Sequence, residues 1–435
     1  MKEPNGELFR KWQQEIPNEG IIRYLDVLNI ETILPVSSKA LAEVLVQKPY
    51  DFIKPPQLVD GIGRILGVGV FLAEGDEHKK QRKDLSPAFA FRHVKELYPV
   101  FWSKSRELVK TLIAHNEKHE QSNGRSPPVN IILPEQKKSN FENIGVRASE
   151  MAYSKQIALD RMLQALKFFS FKRNNDMRAA SQVIRKACLS LIQRARHQSL
   201  KPGSHATDIL SVAIESGGFS DEGLVNQLMT FLLAGHETTS AALTFAVCMM
   251  CLHPEMQTRL RREVRAQLPD PRAPKSSISS TMVDNLAYLN AFCNEVLRLY
   301  SPVPITVRVA AQDTSIVGQF IPKGTSIFLS PWANNISEEL WGDDAHTFNP
   351  DRWMGPGRAN TGGAQSNYGF MTFLQGPRSC IGQSFAKGEF ACLVAAWVGS
   401  FETTFAKEDY EFKIVNGFTP RPKDLEVRLK VLEEW

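Results

Sequence analysis

No run of apolar residues in this chain of 435 reaches the ~20 needed to cross a bilayer as a helix. The most apolar stretch, Ala241 to Leu252, stops well short. The start, Met1 to Gly20, is polar and charged, and reads as neither a signal peptide nor an anchor. Cysteine is scarce as well. The six are Cys188, Cys248, Cys251, Cys293, Cys380 and Cys392, without the spacing of a disulfide framework. Most sit in apolar helical runs, as suits reduced thiols facing a cytosolic environment. Positive charge is in slight excess, 52 Lys and Arg against 47 Asp and Glu, too mild to argue for nucleic acid. Length alone suggests about three domains. No linker, internal repeat or low-complexity tract divides the chain, so residues 1–435 read as a single domain.

What the chain does have is Phe373 to Gly382, reading Phe-Leu-Gln-Gly-Pro-Arg-Ser-Cys-Ile-Gly. Its lone Cys380 stands between a Gly/Asn-rich loop, Gly357 to Asn367, and an apolar helical run from Phe385 to Val398. A cysteine at a helix N-terminus faces unpaired backbone N–H groups and the positive end of the dipole. Both favour the thiolate, which is the form that ligates metal. Gly376 and Gly382 let the backbone approach something flat or bulky, and Arg378 is a fixed cation suited to a carboxylate. A single cysteine out of context is more often a small buried hydrophobe.

A second signal lies on a long helix. Ser220 precedes Asp221 and Glu222, an N-cap with first-turn acids, and the helical pattern runs to about Leu252. Its apolar character breaks at Ala234-Gly235-His236-Glu237-Thr238-Thr239. Gly and the β-branched threonines are poor helix formers, and a threonine hydroxyl can divert an i−4 carbonyl and bend the helix. A plain kink accounts for those residues but not for Glu237 beside them.

Weaker signals complete the set. Glu295 and Arg298 stand three apart on a helix, a pair worth only ~0.2–0.5 kcal/mol on an open surface. Phe348 to Trp353 contains Arg352, and Gly75 to Lys83 carries His78 and Arg82 four apart on one helical face. Alone, that last stretch is a solvated basic face. Gly20 to Leu25, Thr32 to Val36, Ile305 to Ala310 and Thr314 to Ser330 read as strands, the last with a turn at Pro322-Lys323-Gly324. Ser37 or Ser38 caps a helix through about Gln47. Ile62 to Phe71, with three glycines, reads as a loop or irregular strand. Phe101 to Glu117, Ile157 to Phe171 and Val183 to Ala195 have helical periods, the last with Ile184, Cys188, Leu191 and Ile192 on one face. The tail from Phe412 to Leu429 reads as a hairpin with its tip at Gly417 to Thr419.

Phe-x-x-Gly-x-Arg-x-Cys-x-Gly at Phe373 to Gly382 resembles the haem-binding loop of the cytochrome P-450 family. Ala-Gly-x-Glu-Thr-Thr, Glu-x-x-Arg, the Arg352 loop and the basic helix occur in that family's order over nearly the whole chain. The wording looks most like fungal microsomal members of secondary metabolism. The resemblance implies a mainly α fold with small β-sheets, the haem lying between the long oxygen-side helix and the helix of the cysteine loop. Haem b would take Cys380 as its axial iron ligand, with Phe373 packed beside the sulfur and Arg378, Arg82, His78 and Arg308 around the propionates. His78 stands where the family often has Trp. Thr238 would hydrogen-bond the distal oxygen and Glu237 would pass protons inward. Glu295, Arg298 and Arg352 would lock the scaffold, while Ala234, Pro304, Val307 and Phe418 would touch substrate.

The implied reaction inserts one oxygen atom from O2 into a lipophilic small molecule, with NADPH electrons from a flavoprotein reductase. Lys79, Lys80, Lys83 and Arg92 suit an acidic electron donor, though scattered surface lysines are the commoner explanation. The resemblance implies the cytosolic side of the endoplasmic reticulum membrane, whereas the sequence alone reads as soluble and cytoplasmic. Two features depart from the family. No N-terminal anchor is read, so either this is a soluble form or its first segment is missing, and residues 131–154 lack a sustained apolar period, so the stretch from Phe89 to Ala234 looks short. That shortness predicts a deletion or an unusual splice product. A haem-thiolate isomerase or dehydratase, and a haem protein without turnover, stay open as alternatives.

Overall fold

The computed structural model describes residues 6–26, 29–123, 128–130, 172–199, 208–417 and 419–435. Its frame is helical: α1 (Pro56–Leu66), α2 (Gly75–Leu85), α3 (Tyr98–Asn123), α4 (Lys172–Ser199), α5 (Asp221–Leu252), α6 (Pro254–Gln267), α7 (Ala287–Leu299) and α8 (Gln383–Ser400). Among the described residues α5 is the longest, and Ser220 starts it as expected, its hydroxyl accepting Gly223 N–H. At ~1.5 Å per residue it runs about 48 Å, enough to cross the molecule. Its second half is apolar all round because every side of it is covered. Phe245 to Met250 pack with Trp102 of α3, Leu260 and Val264 of α6, Phe292 and Val296 of α7, and Phe390 and Val394 of α8. Each such side chain, fully buried, contributes roughly 1.5–3 kcal/mol.

The first half of α5 packs differently. Leu224, Val225 and Met229 meet Ile62, Ile65 and Leu66 of α1 and Ile184, Cys188 and Ile192 of α4. Helix α1 corrects the first half of the loop expected over Ile62 to Phe71, while Gly67 to Phe71 do form a loop. Pro56 sits in its first turn, where the missing N–H costs nothing, and Val59, Ile62, Ile65 and Leu66 fall on one face. The glycines suggested a break, but only Gly67, at φ 72°, ends the helix. On α4, Leu191 is 45% exposed and leaves the apolar face on which its neighbours Cys188 and Ile192 are buried.

Five strands form the main sheet: β1 (Ile21–Leu25), β2 (Glu31–Pro35), β3 (Phe52–Ile53), β4 (Thr306–Ala310) and β5 (Ser326–Leu329), in the order β1-β2-β5-β4-β3. Only β2 and β5 run parallel, with Ile33 opposite Ile327. Between β4 and β5, Thr314–Ile316 and Gln319–Ile321 pair as a hairpin whose tight turn lies at Val317-Gly318. The expected Pro322 turn is also present, closed by Thr325 N–H on Pro322 O at 3.2 Å. Smaller sheets pair Glu426–Val431 with Phe401–Phe405 and Pro128–Asn130, and Ile414–Val415 with Arg421–Pro422. The fold is therefore mainly α with small β-sheets, as the sequence led us to expect. The stretch 131–154, the helical period over Ile157 to Phe171, and Phe418 lie outside the described residues. Among the described residues no helix is long and apolar enough to cross a membrane.

One buried polar knot ties these parts together. Glu295, wholly buried on α7, accepts from Arg298 Nε and Nη2 at 2.8 Å each, Arg352 Nε at 3.0 Å, Trp353 Nε1 at 2.9 Å and Asn349 N–H at 3.0 Å. Arg298 also donates to the carbonyls of Asn335 and Ala345. Asn335 carries the link onward. Its side chain donates to Arg298 O and Thr372 Oγ1 and accepts Met371 N–H at 2.7 Å, just before the cysteine loop. Removing one member leaves buried charge without a partner. Glu295→Ala is expected to cost about 3–5 kcal/mol, read as a lower denaturant midpoint, and a loss under about 1 kcal/mol contradicts this.

Candidate active site

The knot delivers the chain to Phe373, and from there the cysteine loop holds itself. Cys380 N–H donates to Phe373 O at 2.8 Å and Ser379 N–H to Gly376 O at 3.0 Å. Gly376 needs to be glycine: its φ is 79°, and a Cβ would fall 2.2 Å from Leu45 O. From outside, Arg82 of α2 grips the loop, its Nη1 donating to Ser379 O at 2.5 Å. Gly382 then opens α8 without a side-chain cap.

The other five cysteines are buried, whereas Cys380 is exposed although protein surrounds it closely. A thiol both hemmed in and open faces a hollow. Burial pushes it above its ordinary pKa, outweighing the Gly382 N–H and Arg82, which pull the other way. The helix end expected to favour the thiolate is thus opposed by desolvation.

Cations crowd one side of this hollow. Arg378 Nη1 donates to Phe52 O at 2.9 Å and Pro49 O at 3.2 Å, and its Nη2 bonds Glu74. Its Nε is buried without a partner. Arg308 on β4, 6% exposed, donates from Nη1 to Thr306 Oγ1 and Val307 O. Burial, then Arg378, brings its pKa down to about 10. Lys54 is drawn to about 7, by burial first and then by Arg308 and Arg378, with Glu74 opposing. His78 is buried with Nδ1 3.1 Å from Tyr50 Oη. Burial and then Arg378, Lys54 and Arg82 take it to about 4, so it is neutral at pH 7. Four cations, Lys54, Arg82, Arg308 and Arg378, thus stand here with Glu74 as their only paired carboxylate among the described residues.

Helix α5 brings the second motif. It is helical through Ala234 to Thr239, and Thr238 Oγ1 donates to Ala234 O at 2.6 Å, the back-bond its sequence suggested. Ala234 and Gly235 are exposed within this long core helix, Thr238 is half-buried, and a Cβ on Gly235 would meet nothing within 4 Å. Phe89 bridges the two walls: its ring lies 5.5 Å from that of Phe231, and 3.8 Å from where Gly382 would carry a Cβ. Glu237 is 7% exposed, bonded to Arg421 Nη2 at 2.8 Å with His236 Nδ1 at 3.6 Å. The bond to His236 and the charge of Arg421 hold it below the usual carboxylate range, and His236 is raised in turn. Glu389 on α8 hydrogen-bonds Thr239, and burial raises its pKa.

The remaining expected positions are more dispersed. Val307 sits half-buried on β4 beside Arg308. Pro304 is buried in a small apolar hollow with Phe245, Tyr300 and Ile414. Phe373 is half-buried, and the ammonium of Lys387, drawn down to about 8 by burial, lies over its ring and that of Phe370. Lys54, Glu74, Tyr50, Asn335, Arg421 and Glu389 were not singled out from sequence. The one available signal was Glu74, an acid after the apolar run Val70 to Ala73.

Among the described residues no cluster of His, Cys, Asp and Glu could hold a bare ion. A lone sulfur opening on a hollow suits an ion already bound by a flat macrocycle, which needs one axial ligand. The free Arg378 Nε and the cation excess suit that macrocycle's carboxylates. The residues therefore fit a porphyrin. The comparisons agree. The family model described as Cytochrome P450 matches residues 2–428. Cytochrome P450 monooxygenase sphH of Aspergillus fumigatus is 43% identical over 96% of this chain and 82% of its own length. Monooxygenase buaD of Petromyces alliaceus is 36% identical over 96% and 83%, and ptmK of Penicillium ochrochloron 32% over 99% and 89%. The chain belongs to the cytochrome P450 family and is an oxidoreductase, a haem-dependent monooxygenase.

The Glu237–Arg421 pair carries a pH signature. A carboxylate held below its unfolded pKa adds stability that is full above about pH 4.3 and is lost as the pH falls through the folded value. Arg421→Met is expected to flatten the fall in melting temperature between about pH 5 and pH 3. Profiles that differ only by a constant offset would show that Arg421 does not hold the charge.

Proposed function

We propose that residues 1–435 act as one haem-thiolate monooxygenase domain of fungal secondary metabolism. It adds one oxygen atom from O2 to a lipophilic small molecule. The observation that carries this reading is Cys380, exposed where the other described cysteines are buried, in a loop that Phe89 joins to the long helix through Gly382 and Phe231. NADPH electrons arrive through a flavoprotein reductase at the cytosolic face of the endoplasmic reticulum. Haem b, when bound, supplies the activation of O2, and a cysteine ligand favours O–O cleavage.

The protein's part is to hold, orient and move protons. Cys380 offers sulfur from a loop braced by Arg82 and Phe373. Arg378, Arg308, Arg82 and Lys54 present positive charge to the two propionates, with neutral His78 packed among them. Thr238 Oγ1, anchored by its bond to Ala234 O, keeps its lone pairs free to accept a hydrogen bond inside the hollow. Exposed His236 receives protons from solvent, and Glu237 relays them once it exchanges Arg421 for water. An isomerase or dehydratase would have no use for this acid beside an alcohol.

The direct test is NADPH consumption with a flavoprotein reductase, with and without lipophilic candidates. Consumption that rises with a substrate and yields an oxygenated product supports the reading, whereas product formed without NADPH points to an isomerase or dehydratase. Cys380→Ala is expected to abolish turnover and stoichiometric haem; haem retained at parent level contradicts the ligand assignment. Thr238→Ala should keep haem but divert reducing equivalents to peroxide or water. If product per NADPH stays at the parent value, Thr238 has no part in proton control.

A further inference from the structure

Among the cations of the site, Glu74 makes lopsided bonds. Its Oε1 accepts Lys54 N–H at 2.9 Å, the Lys54 ammonium at 3.4 Å and Arg378 Nη2, while its Oε2 is buried with no partner. The Arg378 side chain, only 4% exposed, also has one atom unsatisfied, its Nε. Pro49 O and Phe52 O both accept from the same nitrogen, Nη1. Those two bonds hold the Nη1 corner of the planar guanidinium. Glu74 supplies the bond at the second corner. A guanidinium binds a carboxylate best along its Nε–Nη2 edge. With Nη2 turned to Glu74 and Nε unpaired, part of that edge remains for an incoming anion, and four cations against one carboxylate favour its arrival.

We propose that Glu74 is a positioning residue for a porphyrin carboxylate: by holding Nη2 it sets the plane of Arg378, so that the Nε–H meets the ligand. This rests on the haem reading above and adds to it a residue that does not itself touch the porphyrin.

The test is haem release from the loaded protein to excess apomyoglobin. Glu74→Gln keeps an oxygen acceptor of the same reach and is expected to stay within about threefold of the parent rate. Glu74→Ala should release haem at least about tenfold faster, the loss of one charge-assisted hydrogen bond. In an Arg378→Met background, Glu74→Ala should change nothing further, because the group it aims is gone, whereas a general structural role would add its full cost again. If Arg378→Met holds too little haem to follow, Arg378→Lys, which keeps charge but lacks the planar edge, replaces it in the cycle. Parent-like release from Glu74→Ala, or additive effects in the double variant, overturns the proposal. The reduced, CO-bound spectrum separates the two levels. A parent chain that shows no thiolate-ligated haem overturns the haem reading and this inference with it. A parent that shows it, with Glu74→Ala unchanged in release, overturns only the role of Glu74.

Discussion

A single buried carboxylate, Glu295, is the constraint on which the cysteine loop depends. It satisfies two guanidinium groups, an indole and a backbone N–H. Buried charges at this density are tolerated only when every partner is in place. Because Arg298 and Asn335 exchange hydrogen bonds, and Asn335 holds Met371 and Thr372, the same knot sets where Phe373 begins. Phe373 O in turn receives Cys380 N–H. The sulfur is located by a chain of hydrogen bonds that starts two elements away. A site on a loop gains the precision of a helix by this means.

The two walls of the hollow are electrostatically unlike. On the cysteine side, cations exceed carboxylates, and burial, with the neighbouring cations adding to it, brings Lys54 to about 7 and His78 to about 4. On the α5 side, Glu237 stays ionised under Arg421 and His236, and Thr238 is the polar group at the opening. Burial raises the pKa of the Cys380 thiol. A dianionic, flat, metal-bearing ligand answers all three features together. Held there, it would bring carboxylates to the cations and an electrophile to the sulfur.

Much of this was legible because the motifs are local. Phe373 to Gly382, Ala234 to Thr239 and Glu295 to Arg298 each lie within one loop or turn, so spacing alone exposes them. The α5 boundaries, from its Ser220 cap to Leu252, followed from capping chemistry and a sustained apolar pattern. Residues that join the site through long-range packing gave no such sign. Arg421 reaches Glu237 from the terminal hairpin, and Lys54 and Glu74 meet Arg378 across more than three hundred residues. The helix over Pro56 to Leu66 was hidden by glycines that its apolar face overrides. Desolvation of Cys380, which raises its pKa, also gave no sign, because a helix terminus is visible in sequence and burial is not.

The claim beneath all of this is that Cys380 sulfur, as thiolate, is the protein ligand to haem iron. The absorption spectrum of the purified, reduced chain under carbon monoxide tests it most directly. A red-shifted Soret band, in amount equal to the bound haem, is predicted. A band at the position given by a histidine or neutral thiol ligand would contradict it.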